Sequence, residues 1–110
     1  MIALRVVLDR GRLLRVRSEG HAVAGDEGSV PCAAVSALIG SVSRLLLGVR
    51  GCDVDGSAPE PGKLELRVLR VLPWRRRWLR GVTDLLVQGL RDVAEEYPGA
   101  VQLIIEEKGE

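Results

Sequence analysis

Apolar and polar residues alternate through Ile2, Leu4, Val6 and Leu8, and the alternation resumes at Leu14 and Val16 beyond Asp9-Arg10-Gly11-Arg12. A period of two marks a strand with one buried face, and a polar break with glycine between two such runs predicts a β-hairpin. Residues 19 to 30 keep no period and carry small turn-forming residues around Asp26 and Glu27, which predicts a loop. From Pro31 onward, Val35, Leu38, Val42, Leu45, Leu46 and Val49 keep helical spacing. Proline suits a first helical turn, where its missing N–H is not needed, so a helix is predicted from about Pro31 to Val49, ending near Gly51. The Asp, Gly and Pro content of residues 51–62 supports neither period and predicts a solvated connection. Leu64, Leu66 and Val68 then alternate with Lys63, Glu65 and Arg67, giving a third strand that runs to about Val71. Beyond Leu72-Pro73, the spacing of Trp78, Val82, Leu85, Leu86, Leu90, Val93 and Tyr97 is helical, and Pro98-Gly99 stops it. Val101, Leu103 and Ile105 form a last strand before an acidic tail at Glu106-Glu107. The predicted order is β-β-α-β-α-β: an α/β chain forming one mixed-sheet sandwich with two helices.

At 110 residues the chain has room for one domain, taken as residues 1–110. Sixteen Lys+Arg against fifteen Asp+Glu leave a net charge of +1, so no global field marks a nucleic-acid or membrane binder. Aromatic residues are 3% with no Phe, which implies an aliphatic core and few rings on which bases could stack. Met1-Ile2-Ala3-Leu4 meets Arg5 too soon for a signal peptide, so a cytoplasmic location is expected. The longest charge-free stretch, Gly28 to Ser43, falls short of the ~20 apolar residues of a membrane span, and no membrane partner is expected. Cys32 and Cys52 read as reduced thiols. With a single His and two separated Cys, a zinc site lacks ligands, and neither metal nor cofactor is expected.

Candidate chemistry gathers at the start of the first predicted helix. At 100° per residue, Val35, Leu38, Val42, Leu45 and Val49 form the core stripe, while Cys32, Ser36, Gly40 and Ser43 fall away from it. A Cys in a first helical turn meets the positive end of the helix dipole and unpaired N–H groups, both of which favour thiolate. Ser36 follows one turn on. His21, the only histidine, precedes Cys32 by eleven positions, at the start of the glycine-bearing loop. An imidazole folded back over the thiol can take its proton and create a nucleophile. The plainer alternative is a solvated loop histidine and a small core cysteine.

Gly20-His21-Ala22, followed at about a dozen residues by Cys32-Ala33-Ala34-Val35-Ser36-Ala37-Leu38, resembles the bacterial ribosomal-processing cysteine proteases, the Prp family. The resemblance implies a small cytoplasmic α/β homodimer that removes a short N-terminal extension from a large-subunit ribosomal protein of the L27 type. It makes Cys32 the nucleophile and His21 the general base and then acid. Ser36 becomes a supporting residue near the thiol, and Gly20 the residue that allows a tight turn beside His21. Three positions depart from the family pattern. The His-to-Cys spacing is one residue shorter, a loop tyrosine is absent, and Ser29 stands where an Asp is usual. Asp26 and Glu27 are the acids left nearby to orient the imidazole.

Trp74-Arg75-Arg76-Arg77-Trp78-Leu79-Arg80 is the one dense basic patch. It reads first as a solvated helix start anchored by its tryptophans, and second as an RNA-phosphate contact through Arg75 to Arg77. The second reading belongs with a competing function, a non-enzymatic ribosome-associated binding module. Cys52, in a Gly-Cys-Asp turn, reads as a bystander, and no glycine pattern has the strand-to-helix setting of a nucleotide cradle.

Overall fold

The structure, a computed structural model, describes residues 1–20, 26–58 and 63–108, with residues 26–29 described by their backbone alone. Strands β1 (Ile2–Asp9) and β2 (Arg12–Glu19) form the predicted hairpin. Arg10 and Gly11 turn it with φ of 54° and 78°, the positive pair that a two-residue connection needs to match strand twist. The register slips between Val7 and Leu8, so that Val7 faces Arg15 while Leu8 faces Leu13. Leu13 N–H then donates to Thr83 Oγ1 at 2.9 Å, and the Thr83 hydroxyl donates to the Leu79 carbonyl at 2.7 Å. A fully buried threonine thus satisfies a backbone donor at the bulge.

Helix α1 spans Asp26–Leu47, followed by β3 (Cys52–Ser57) and β4 (Lys63–Val71). A 3₁₀ turn, Pro73–Arg75, leads into α2 (Arg76–Glu96), and β5 (Val101–Lys108) closes the chain. The sheet order is β3-β4-β2-β1-β5, with β5 parallel to β1 and the other pairings antiparallel. The α/β class, mixed sheet and two helices agree with the sequence reading.

One face of the sheet is apolar from edge to edge. Leu66, Val16, Val6 and Ile105 lie in register across four strands, and both helices cover that face with Val35, Ile39 and Leu46 from α1 and Leu79, Leu86 and Leu90 from α2. Leu38 lies against Gly89, where an added Cβ would come within 3.0 Å of its side chain, so the helices meet closely there. The opposite face is open and carries ion pairs: Arg5 with Glu106, Arg17 with Glu19, and Arg67 with Asp55, at 2.6 to 3.1 Å.

Three details differ from expectation. Residues 52–57, read as connection, form the edge strand β3, whose short Cys52/Val54 alternation is paired on one side only. Helix α1 starts at Asp26, enclosing Pro31, and its buried stripe contains Ile39 and Leu46, while Leu45 is 46% exposed. Glu106 and Glu107 belong to β5 rather than to a tail. Within α1, Val30–Leu47 is long and apolar enough by composition to cross a membrane; here its Val35, Ile39 and Leu46 enter the core.

Candidate active site

Gly20 ends β2 in a conformation closed to other residues. Its φ is 106°, and an added Cβ would collide with the carbonyl oxygen of Met1. The hairpin causes this, because pairing Ala3 with Glu19 brings the first residue of the chain against residue 20. Glycine is thus required at this position, while the turn beside His21 assigned to it lies outside the described residues. The contact with the Met1–Ile2 peptide escaped the motif, although extending the hairpin register by one step sets Ile2 opposite Gly20.

His21 lies outside the described residues, as do the side chains of Asp26, Glu27 and Ser29. Helix α1 begins after the five-residue link 21–25.

Cys32 is half-buried and packs against the core. It is the seventh residue of α1, which corrects the first-turn placement. The helix-end charge and free N–H groups lie a turn away, and their influence falls off within that first turn. Its face also differs from the one anticipated, because Cys32 borders the buried stripe through Val35 and Ile39 at i+3 and i+7. Ser36, one turn on, is exposed. Gly40 and Ser43 do not extend a small-residue shelf with it. The Arg44 guanidinium covers Gly40, and Ser43 Oγ donates to the Ile39 carbonyl at 2.8 Å. The accessible small residues beside Cys32 are Ala33, Ser36 and Ala37.

Cys52 has the opposite character. It is 7% exposed at the start of β3, and burial pushes its thiol pKa up, against an opposing pull from Arg75 and with Asp53 adding to the rise. A thiol held neutral is a poor nucleophile.

The basic patch is only partly available to a ligand. Arg75 Cζ lies 4.8 Å from the ring centroids of both Trp74 and Trp78, and its Nε donates to the Arg50 carbonyl at 2.9 Å. Arg75 is thus held between its neighbouring tryptophans by cation–π contacts, and its hydrogen bond ties the start of α2 to the turn after α1, while Arg76 and Arg77 are exposed.

Known structures share this architecture. The chain superimposes on SMU.848 from Streptococcus mutans with a TM-score of 0.82 and 23% identity, covering 98% of this chain and 96% of that one. Two structures of the essential ribosomal processing protease Prp from S. aureus also match. The one with a covalently linked product peptide gives a TM-score of 0.78 at 20% identity, and the one with a substrate peptide 0.77 at 18%, each covering 96% of this chain and 100% of that one. No curated protein sequence matches the chain. Residues 1–102 match the family model of a cysteine protease, which makes the protein a thiol-dependent peptidase and sets aside the non-enzymatic binding module. The family is Prp, and the chain belongs to it.

Proposed function

We propose that the protein is an endopeptidase whose nucleophile is Cys32, with His21 as base and then acid. The observation that carries the assignment is the contrast between the two cysteines. A cysteine protease needs a reachable thiol, and the chain has two cysteines. Cys52 is buried at the far end of the sheet, where β3 begins opposite Val71. Cys32 is half-exposed in the helix that begins six residues beyond Gly20. His21 is bonded directly to Gly20, the residue turned against Met1.

In this reading the Cys32 thiol gives its proton to His21 and the sulfur attacks the scissile carbonyl. The imidazolium returns the proton to the leaving amine, and water hydrolyses the thioester. Ser36 and the neighbouring alanines leave room for an extended peptide backbone along α1. The substrate we assign is a large-subunit ribosomal protein of the L27 type carrying an N-terminal extension, in keeping with the family and with the activity named for the S. aureus structures. The setting is the cytoplasm and the working form a homodimer. Exposed Val30, Leu45 and Leu47 on α1 offer apolar surface for a second copy to cover.

Incubation with the extended precursor tests the assignment. Wild type releases the extension. Cys32→Ala loses cleavage by at least about a thousandfold, as removal of a nucleophile does, while its circular dichroism spectrum stays unchanged. Cleavage by Cys32→Ala at the wild-type rate would contradict the proposal.

A further inference from the structure

The near-neutral net charge conceals a sharp separation of charge. The carboxylate-paired arginines Arg5, Arg15, Arg17 and Arg67 all lie on the open sheet face. At the hairpin end of the molecule the topology collects a second set from separate segments. Arg10 and Arg12 come from the β1–β2 turn, Arg50 from the turn after α1, Arg70 from the end of β4, and Arg76 and Arg77 from the start of α2. Their common location follows from the pairing of Asp9 with Arg12 and of Cys52 with Val71, and from two bonds that draw the segments together. Leu72 N–H donates to the Gly51 carbonyl at 2.8 Å, and Arg75 Nε to that of Arg50 at 2.9 Å. Among the described residues none of these six guanidinium groups is within ion-pair distance of a carboxylate. Three carboxylates lie near them: Asp9 beside the turn, Asp53 opposite Arg70 in the register, and Glu107, which accepts from Gly11 N–H at 3.0 Å between Arg10 and Arg12.

Two further features give this end a shape as well as a charge. Beyond the Arg15–Arg67 pair, β2 and β4 separate, and a cleft of about 110 Å³ opens between them with Arg12 and Asp9 on one side, Arg70 on the other and Leu79 beneath. Trp74, 62% exposed, leads into α2 just before Arg76 and Arg77, with Arg75 stacked on its ring and Gly51 against its edge, so an aromatic surface is held next to these cations. Six guanidinium groups drawn together with only three carboxylates nearby, none in an ion pair with them, leave an excess of positive charge, and a phosphate backbone supplies anions at the required density. A held, exposed indole beside the cations suits an unpaired base.

We infer that the hairpin end is an RNA-binding surface. Phosphates lie along Arg10, Arg12, Arg70, Arg76 and Arg77, and a base packs on Trp74. It is separate from the Cys32 site, which lies toward the other end of α1, so binding and proteolysis are independently lost.

The test is fluorescence anisotropy with a short stem-loop RNA bearing an unpaired loop, measured across a salt series beside vesicles of phosphatidylglycerol and phosphatidylcholine. Arg76→Glu/Arg77→Glu places acids at a helix start, where the dipole favours them, so the fold survives. Wild type binds the RNA, and this variant binds it at least about tenfold more weakly, with a slope of log K against log salt smaller by about two. Arg12→Gln/Arg70→Gln weakens binding in the same way, whereas Arg5→Gln/Arg67→Gln on the open face does not, and peptide cleavage is unchanged in all three. The inference is overturned if wild type shows no salt-dependent RNA binding, if the open-face variant loses as much as the others, or if vesicles are bound and RNA is not.

Discussion

Thr83 shows how a single polar side chain can be required by a defect elsewhere. Leu13 N–H lies beyond the point where β4 pairs with β2, so no strand receives it there, and Thr83 Oγ1 does. Thr83→Val keeps the volume but leaves that donor buried and unpaired, so a loss of about 1–3 kcal/mol is expected in urea unfolding. Thr83→Ser restores most of it. Cys52 gives a pH signature. Because burial raises its pKa in the folded state, the unfolded thiol ionises first. Its stabilising contribution is whole below the ordinary thiol range and is lost as pH rises through the raised folded pKa. Melting temperature should therefore fall above about pH 8.5 more steeply in wild type than in Cys52→Ala. At Gly20, Gly20→Ala meets both a positive φ and the Met1 carbonyl, and a cost of about 1–3 kcal/mol with impaired cleavage is expected. That position 20 needs glycine agrees with the Gly20-His21 motif. The buried Thr83 was not, because its partner is seventy positions away in the chain.

At the scale of elements, β1, β4 and α2 could be read from periodicity because each buries one regular face of its own residues, whereas in β2 the register shift buries Leu13 in place of the expected Leu14. The reading faltered where an element takes its stability from elsewhere. β3 has only Cys52 and Val54 facing the core and is held by β4 along one edge, so its pattern is too short to separate from a turn. In α1, the preference of proline for a first turn points to Pro31 as the start. Pro31 is in fact interior, at the expense of one N–H bond, and the acidic Asp26 and Glu27 open the helix at its positive end. That five-residue extension moves Cys32 from the helix start into the second turn. The same reading placed Leu45 rather than Leu46 in the core, an error of 100° that only packing against the sheet decides. Arg75, which composition offers as a free cation, instead holds the start of α2 to Arg50. Arg75→Ala should accordingly lower the melting temperature, whereas Arg76→Ala should leave it nearly unchanged.

Across the whole molecule, the two ends of the sheet carry different chemistry. One end has Gly20 and the start of α1 with Cys32, and the other has the unpaired arginines, Trp74 and the buried Cys52. The motif between Gly20 and Leu38 was enough to identify the family, because a cysteine and a histidine at that spacing are carried by contiguous sequence. The charge separation was not legible, since net charge sums over a surface that only the fold divides. The proposed homodimer is checked by light scattering after gel filtration, where twice the mass of an 11.9 kDa chain is expected. The central claim, that Cys32 is made reactive by His21, is tested most directly by mapping iodoacetamide modification at pH 6 by mass spectrometry. Cys32 should be alkylated much faster than Cys52 in the wild-type protein, and His21→Ala should abolish that advantage along with cleavage. Equal, slow labelling of the two thiols in wild type, or a Cys32 rate unaffected by His21→Ala, would contradict it.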